Sequence, residues 1–395
     1  MRFTTVFLSL LGLTSALPSE VATLEKRADA YNPPRNLAYI QTFRRVDGGK
    51  FSMLPLIQNP TQVTHLYISA LHINPDPKGM HLNDNRPNDT IWNNMWSEVK
   101  QLQGVGKKVM YMMGGAAPGS YPRLCSGPRN TINETYYMPL YWELKYRKLD
   151  GIDLDIEERV NVNCPYNLLQ RLNKDFGSKF IITMSPVASE LQPQPYGLGG
   201  FSYNTLDYYA TNSQKPNGKI VNWFNCQFYN GWGDSGTPNG YNAIVKNGYP
   251  ADRVVLGTLT SSFNGGSGWK NLTTIQRTIR ILKANYGTKF GSVNGWEYWD
   301  AGRSDNINEP YKWIGQIGNT IFGTRNTFKR QESVPQDFNA TITPAKSPWP
   351  QLTDRLLKLG VVRLETIQVL NQTNGDIRKA ADLLGLGNLL GNLPI

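Results

Sequence analysis

One ten-residue stretch decides the fold of this chain: Leu149-Asp150-Gly151-Ile152-Asp153-Leu154-Asp155-Ile156-Glu157-Glu158. From Ile152 onward, apolar and acidic residues alternate, and strict alternation predicts a strand with two different faces. One face is aliphatic, and the other carries the carboxylates of Asp153, Asp155 and Glu157. A solvated acidic edge is the alternative, but the aliphatic face and the tight Asp-Gly start favour a buried strand.

The three carboxylates of this strand are candidate catalytic groups. Residues two apart on one strand point to the same side, so like charges are forced close together. At least one of the three is therefore expected to keep its proton near neutral pH. A protonated glutamic acid beside ionised aspartates is suited to general acid catalysis, which makes Glu157 the first candidate.

Strand-like and helix-like segments alternate along most of the chain, which predicts an α/β fold. Eight segments are predicted as strands: Asn36–Phe43, Val63–Ile73, Lys107–Gly115, Leu149–Glu157, Lys179–Pro186, Ile220–Tyr229, Arg253–Thr260 and Phe290–Trp299. Helices are predicted between them, among them Ile91–Leu102, Thr135–Arg147, Pro165–Phe176, Tyr241–Asn247 and Thr273–Tyr286. Eight such units match a closed (β/α)8 TIM barrel, whose catalytic groups lie at the carboxyl ends of the strands. The carboxylates end the fourth predicted strand, where chemistry is expected.

Three further strand ends carry residues suited to a sugar site. The third predicted strand runs into the glycine-rich stretch Met113–Ser120, where bare backbone lets a ligand approach closely. On the sixth strand, Asn225, Gln227 and Tyr229 share the parity that points inward. The eighth ends in the aromatic run Gly295–Trp299, which is either ordinary core or, beside carboxylates, a floor for a sugar ring.

Composition and charge exclude several classes of protein. The chain has 395 residues, of which 39% are hydrophobic and 18% charged, enough for one large core and a small appendage. Its net charge of +11 is scattered along the chain, so we expect no nucleic-acid partner. The histidines at positions 65, 72 and 81 lack metal-ligand spacing, and we expect neither a metal nor a cofactor.

The two ends of the chain differ from the barrel in composition. Residues 1–16 have a basic start, an apolar run and small residues, which is typical of a signal peptide too short to cross a bilayer. Residues 17–27 end in a Lys-Arg pair and are predicted to be a pro-peptide, so we expect a secreted, soluble monomer with no membrane partner. The remaining domains are predicted as the catalytic barrel at 28–323, a linker at 324–350 and a small bundle of three helices at 351–395.

The linker and the C-terminal bundle carry further signals. The linker contains a second basic pair, Lys329-Arg330, and we hypothesise that the bundle is removed there in part of the secreted population. The bundle weakly resembles a ubiquitin-associated domain, and its lack of aromatic residues argues against a carbohydrate-binding module. N-glycans are predicted at some of five Asn-x-Thr sequons, those of Asn88, Asn133, Asn271, Asn339 and Asn371.

Three cysteines in an exported chain allow one disulfide and leave one thiol. Cys125 and Cys164 follow the third and fourth predicted strands, so both are expected on neighbouring loops at the catalytic face. The parity of the sixth strand points Cys226 toward the helices instead. We therefore predict a bond between Cys125 and Cys164.

The acidic strand also carries a family signature. Residues 150–157 have the pattern D-G-x-D-x-D-x-E, which resembles glycoside hydrolase family 18, the chitinases and endo-β-N-acetylglucosaminidases. The resemblance covers nearly the whole predicted barrel, including Gln227-Phe228-Tyr229 and Trp296, and stretches such as Ser185–Ser189 are similar to the secreted fungal endo-β-N-acetylglucosaminidases. One departure is Met112-Met113-Gly114-Gly115, where the family often has Ser-x-Gly-Gly and a supporting hydrogen bond.

This resemblance implies a substrate-assisted retaining hydrolysis, an exception to the two-carboxylate scheme of most retaining glycosidases. Glu157 would protonate the leaving oxygen, and the 2-acetamido carbonyl of the substrate would be the nucleophile. Asp155 would orient the acetamido N–H, and Asp153 would pair with Asp155. Tyr229 would donate to the acetamido oxygen, and Trp296 would form the floor beneath the sugar. The other substrate-binding residues implied by the resemblance are Gln227, Asn230, Gly114, Gly115, Met184 and Tyr39.

The resemblance leaves two substrates open, because chitin and the N-glycan core both contain a GlcNAc-β1,4-GlcNAc bond. Many chitinases of the family insert a subdomain between the last two strands, whereas here only about thirty residues separate Thr260 from Phe290. We therefore expect an open groove, which favours an endo-β-N-acetylglucosaminidase acting on N-glycoproteins. A chitinase is the alternative, and a non-catalytic glycan-binding protein is a minor one because Glu157 is present.

Overall fold

The computed structural model describes residues 33–44, 49–303 and 306–323. Within them, eight parallel strands close into a barrel, because the last strand returns to pair with the first. The strands are β1 (Asn36–Ile40), β2 (His65–His72), β3 (His81–Leu82), β4 (Lys108–Gly114), β5 (Gly151–Asp155), β6 (Ile181–Met184), β7 (Phe224–Gln227), β8 (Val254–Leu259) and β9 (Val293–Trp296). The short β3 pairs antiparallel with the end of β2 and lies outside the ring. The predicted (β/α)8 TIM barrel is confirmed.

Helices connect the strands around the outside of the barrel. Those described are α1 (Pro55–Gln58), α2 (Asn93–Gly104), α3 (Ser120–Leu124), α4 (Glu134–Arg147), α5 (Asn163–Phe176), α6 (Tyr203–Tyr209), α7 (Asn239–Lys246), α8 (Leu272–Tyr286) and α9 (Tyr311–Phe322). The five helices predicted above correspond to α2, α4, α5, α7 and α8 and differ from them by at most two residues at either end. All eight predicted strands are present but shorter, because their ends turn into the loops that carry the site.

Strand β5 divides the interior into two layers. Ile152 and Leu154 belong to the large core between the strands and the helices. Asp153 and Asp155 point the other way, into the barrel. A second, smaller core fills the inside of the barrel below them, with Leu37, Tyr67, Met110, Ile181, Trp223 and Val255 among its members. The aliphatic face of the alternating stretch is thus its outer face, and the acidic face is its inner one.

The Asp-Gly pair at the start of β5 fixes this strand between its neighbours. The carboxylate of Asp150 accepts hydrogen bonds from the Lys108 ammonium group and the Val109 amide, both at 3.0 Å, which ties β5 to the start of β4. A side chain on Gly151 would place its Cβ 2.2 Å from the backbone oxygen of Ile181 on β6. The glycine is therefore required by the close approach of two strands.

We expect Gly151→Ala to destabilise the fold by about 1–3 kcal/mol, because the added methyl group collides with backbone that cannot move aside easily. The matched control is Gly104→Ala at the end of α2, where an added Cβ meets no atom within 4 Å. That control should leave stability unchanged or raise it by up to about 1 kcal/mol. Urea unfolding of both variants measures the difference, and equal midpoints would contradict the packing argument.

Several predictions made from the sequence concern residues at the ends of the chain. The signal peptide, pro-peptide, linker, C-terminal bundle and Lys329-Arg330 pair lie outside the described residues, as do the sequons of Asn339 and Asn371. Of the other sequons, Asn88 and Asn271 are exposed, whereas Asn133 is half-buried and its side-chain amide donates to the Ser126 hydroxyl at 2.7 Å. Among the described residues, no helix is both long enough and apolar enough to cross a membrane.

Candidate active site

The acidic residues of β5 lie at the carboxyl end of the barrel and become more exposed along the strand. Asp153 is completely buried, Asp155 is 5% exposed, and Glu157 just beyond the strand is only half-buried. We call Asp153, Asp155 and Glu157 the acidic ladder. Parallel strands bring their carboxyl ends to the same rim, so side chains from β1, β6, β7 and β9 converge on this ladder. Only the outermost acid has an open side.

Asp153 is held by four donors that come from three other parts of the barrel wall. One carboxylate oxygen accepts from the Tyr39 hydroxyl at 2.7 Å and from Ser185, and the other accepts from Thr183 and from the Asn225 amide at 3.0 Å. Burial raises the pKa of Asp153, while the four hydrogen bonds favour its ionised form. Each oxygen of this buried carboxyl group therefore has two hydrogen-bond donors.

A single amide bridges the two outer acids. Gln227 Nε2 donates to Asp155 Oδ1 and Glu157 Oε1, both at 3.0 Å, and lies 3.1 Å from the Ser185 carbonyl oxygen. Burial raises the pKa of Asp155 well above its usual range, and the charges of Glu157 and Asp153 raise it further. Burial also raises the pKa of Glu157, against the lowering effect of its bond to Gln227. A proton is therefore retained on the Asp155–Glu157 pair at pH values where free carboxyl groups are ionised.

Gly114 and Gly115 make room for this pair. Both have left-handed backbone, with φ of +98° and +88°, and a Cβ on Gly114 would lie 2.1 Å from the Asp155 carbonyl oxygen. The Gly115 amide donates to that same oxygen at 3.0 Å. A Cβ on Gly115 would lie 3.7 Å from a carboxylate oxygen of Asp155. Gly114 therefore allows the close approach of β4 to the Asp155 backbone, and Gly115 keeps a side chain away from the Asp155 carboxylate.

Two aromatic residues complete the pocket. Tyr229 follows β7 and is 8% exposed; burial raises the pKa of its hydroxyl, and so do the charges of Asp155, Glu157 and Asp153. Trp296 ends β9 and is partly exposed, with its ring tilted against Tyr39 at a centroid distance of 5.6 Å. Tyr39 itself stacks on Tyr67 deeper in the barrel, at 4.5 Å. Trp296 is thus the top of an aromatic stack beside the carboxylates.

Comparison with known proteins identifies the family. No family model matches the chain. It is 26% identical to endochitinase 3 of Metarhizium anisopliae over 229 residues, which cover 53% of this chain and 71% of the relative. A solved chitinase from Aspergillus fumigatus is 40% identical over 68% of this chain and 92% of its own, with a TM-score of 0.63. A solved fungal endo-β-N-acetylglucosaminidase from glycosyl hydrolase family 18 is 35% identical over 73% of this chain and 98% of its own, with a TM-score of 0.67. The chain belongs to glycoside hydrolase family 18.

This family 18 enzyme is a glycosidase of the chitinase or endo-β-N-acetylglucosaminidase type and acts on a carbohydrate substrate. Met112 stands where the family often has serine, and in the barrel it lies opposite Asp153 in the β4–β5 register, within the inner apolar core. Asp153, opposite Met112, accepts its hydrogen bonds from donors on other strands and from Ser185 after β6. Within the part of the chain that is described, no three His, Cys, Asp or Glu side chains are grouped as a metal site.

Of two further residues expected to bind substrate, one lies in the outer core of this family 18 barrel and the other follows Tyr229 at the rim. Met184 is fully buried in the outer core with Ile182, because Thr183 takes the inward position on β6. Met184 therefore has no place at the rim. Asn230 is exposed, and its backbone amide donates to the Ser267 carbonyl oxygen at 3.0 Å, which joins the loops after β7 and β8.

Sequence reasoning missed three acids that shape the loops around the site. Glu158 accepts from the amides of Gly119 and Tyr121 at 2.6 and 3.0 Å and holds the start of α3. Glu190 accepts from the Gly199 amide at 2.8 Å, and burial raises its pKa to about 7. Glu297 accepts from four backbone amides, those of Gln41, Thr42, Trp299 and Asp300. Glu158 directly follows Glu157, and Glu297 directly follows Trp296. Their position next to a predicted site residue was the only sign in the sequence that they lie near the site.

The cysteines of the predicted pair are bonded to each other, with their Cα atoms 5.3 Å apart. Cys125 follows α3 and Cys164 lies in the first turn of α5, so the bond joins the loops after β4 and β5 at the catalytic face. Cys226 is free and buried toward the helices.

The bridge made by Gln227 predicts a pH effect. Its hydrogen bonds lower the pKa of Asp155 and Glu157, since an N–H donor stabilises the ionised carboxylate. Gln227→Met should therefore raise both pKa values and keep Glu157 protonated to higher pH. We expect the alkaline limb of the kcat/KM profile to move to higher pH. Gln316→Met on the exposed side of α9 is the control and should leave the profile unchanged; an unmoved or acid-shifted limb in Gln227→Met would refute the bridge.

Proposed function

We propose that this enzyme is an endo-β-N-acetylglucosaminidase that cleaves the GlcNAc-β1,4-GlcNAc bond of the N-glycan core by substrate-assisted catalysis. The observation that carries the proposal is the graded ladder of β5, in which the inner acid is saturated, the middle acid is buried and only Glu157 has an open side. One accessible carboxyl group suits a general acid, and the buried partner beneath it is poorly placed to attack a sugar carbon.

In the first step of this mechanism, Glu157 transfers its proton to the glycosidic oxygen as the bond to C1 breaks. The acetamido carbonyl oxygen of the same sugar attacks C1, and the ring that forms is an oxazolinium ion with the positive charge shared over nitrogen. Asp155 accepts a hydrogen bond from the acetamido N–H and stabilises that charge, and Asp153 keeps the electrostatic field of the ladder negative. Tyr229 donates its hydroxyl to the acetamido oxygen and directs it toward C1.

In the second step, the water oxygen attacks C1 while the ionised Glu157 accepts a proton from that water molecule. The bond from C1 to the acetamido oxygen breaks, the acetamido group is restored, and the sugar is released with its original anomeric configuration. Glu157 ends the cycle protonated, so no other acid or base is consumed. Trp296 supports the face of the sugar ring in both steps, because ring stacking needs no reorientation between them.

The open rim favours the N-glycan over chitin. Between β8 and β9 lie only α8, a short turn and loops, so no inserted domain walls the groove. Two aromatic residues on the rim, Tyr196 and Trp232, are 5.8 Å apart by ring centroids, and Tyr196 is 59% exposed. A branched glycan attached to a protein needs such an open approach, whereas a single extended chain does not.

A chitinase is the second candidate, and the relatives favour it. The curated relatives of Metarhizium are endochitinases, and the solved chitinase from Aspergillus fumigatus is 40% identical to this chain over 92% of its own length. Both candidates use the same bond and the same ladder, so only the substrate distinguishes them. A glycan-binding protein without activity is disfavoured because Glu157 is present and hydrogen-bonded in the site.

The decisive test offers the enzyme a high-mannose glycoprotein and colloidal chitin side by side. We expect deglycosylation of the glycoprotein, which leaves one GlcNAc on asparagine, and no soluble product from chitin. Release of chitin oligosaccharides alone would reverse the assignment.

The control for this test is Glu157→Gln, which keeps the size and the hydrogen bond to Gln227 but has no proton to transfer. Loss of a general acid reduces the rate by about 10²–10⁴-fold, so activity should fall to a hundredth or less while the thermal unfolding curve stays close to that of the native enzyme. If Glu157→Gln kept more than a hundredth of the native activity, Glu157 would not be the general acid. Asp155→Asn should impair the acetamido step and leave glycan binding nearly intact.

We also propose that the protein is secreted and carries N-glycans that it trims itself. Asn88 and Asn271 are the exposed sequons among the described residues, so we expect glycans there rather than at the half-buried Asn133. Mass spectrometry of the active enzyme should find single GlcNAc stubs at these two sites, and Glu157→Gln should carry full-length glycans. Full-length glycans on both forms would argue against self-trimming.

A further inference from the structure

A cavity of about 440 Å³ lies beside the active site and has no part in the mechanism above. It opens between the loop after β4 and the loop after β5, and the Cys125–Cys164 disulfide forms part of its wall. Its position at the carboxyl end of the barrel places it on the face that receives the substrate. The cavity is therefore a candidate for contacts with sugars beyond the bond that is cleaved.

The cavity has a strongly basic and otherwise neutral lining. Arg129 and Arg159 both line it, and no Asp or Glu is among its lining residues. Both arginines are exposed, and neither makes an ion pair or hydrogen bond with any residue in the described ranges. Other arginines of the barrel, such as Arg171 and Arg253, are paired with carboxylates. Two uncompensated guanidinium groups in one polar cavity attract an anion and can bind its oxygens in pairs.

The framework around these arginines is rigid. The disulfide joins the two loops, and the carbonyl oxygen of Asn130 accepts a hydrogen bond from the Asn167 amide of α5 at 3.1 Å. On the other loop, the Val160 amide donates to the Gly199 carbonyl oxygen at 3.0 Å. Arg129 has left-handed backbone with φ of 57°, a conformation that costs free energy in a residue with a side chain. The backbone at both arginines is thus fixed before any ligand arrives, so binding has to order only the two exposed side chains.

The cavity is also close to the reacting bond. Arg159 follows Glu157 by two residues, so their Cα atoms are at most about 7.6 Å apart. An anion held by Arg159 therefore lies within reach of a neighbouring sugar of the glycan whose core bond meets Glu157. We propose that this cavity binds an anionic substituent, a phosphate monoester or a carboxylate, on a sugar of the bound glycan. This inference rests on the proposed N-glycan activity and assigns a preferred substrate class to it.

The test compares paired substrates that differ only in the anion. One pair is a high-mannose glycopeptide bearing mannose 6-phosphate and the same peptide after phosphatase treatment; the second is a sialylated glycopeptide and its desialylated form. We expect kcat/KM to be about tenfold higher for the anionic member of at least one pair, the scale of one charged hydrogen-bonded contact. The pair that shows the preference identifies phosphate or carboxylate as the ligand.

Two double variants distinguish the cavity from the general positive charge of the protein. Arg129→Gln with Arg159→Gln should abolish the preference and leave kcat/KM for the neutral glycopeptide within about twofold, because neither arginine is bonded to Asp153, Asp155 or Glu157 and a neutral glycan offers them no charge to bind. Arg277→Gln with Arg280→Gln removes the same charge from the exposed side of α8 and should keep the preference. Thermal unfolding confirms that both variants fold. The proposal would be overturned if the native enzyme had the same kcat/KM for the anionic and neutral members of both pairs. It would also be overturned if both double variants lost the preference for the anionic member to the same extent.

A binding measurement separates this inference from the proposed activity. If the neutral glycopeptide is not cleaved at all, the N-glycan assignment fails, and the cavity is then tested by calorimetry with N-acetylglucosamine 6-phosphate and N-acetylglucosamine. Tighter binding of the phosphorylated sugar that is lost only in the Arg129/Arg159 variant supports the anion site. No difference between the two sugars overturns it.

Discussion

The structure depends on one buried polar group, the carboxyl group of Asp153 inside the barrel. A buried carboxylate is costly unless every lone pair is satisfied, and here the donors come from β1, from β6 and the residue after it, and from β7. Those donors meet Asp153 only if the strands keep their register, in which Asp153 lies directly opposite Thr183. The same requirement that stabilises the inner acid therefore aligns the strands that carry the rest of the site.

The order of the acids along β5 follows from this arrangement. The innermost carboxyl group accepts hydrogen bonds from four donors, and its negative charge adds to the burial and the Glu157 charge that raise the pKa of Asp155. Asp155 in turn shares Gln227 with Glu157, the only member of the ladder with an open side. Three chemically similar groups on one strand thus differ in charge and access because they lie at different depths. A single period-two pattern is enough to create that gradient.

Depth and partners also explain what the sequence could and could not predict. Acid and aliphatic residues alternate so clearly on β5 that its inner face, its place at the rim and the role of Glu157 as first candidate could all be predicted. On β6 both faces are largely apolar, so no local pattern opposed the place at the site that the family resemblance implied for Met184, and only Thr183 marked the inner side. Glu297 was missed because its amide partner Gln41 is 256 residues away in the chain. Contacts between residues so far apart in the chain form only when the barrel closes, so they leave no pattern in the local sequence.

Trp296, the proposed floor for the sugar, meets the acidic ladder at the seam where β1 and β9 close the barrel. Tyr39 on β1 donates its hydroxyl to Asp153, and its ring packs against Trp296 on β9, so one residue contacts both parts of the site. Glu297, next to Trp296, accepts from the amides of Gln41 and Thr42 just beyond β1 and fixes the same seam. A shift of β1 against β9 would therefore move the floor relative to the ladder. Closing the barrel and assembling the site are one structural requirement, which is why the site residues come from both ends of the barrel sequence.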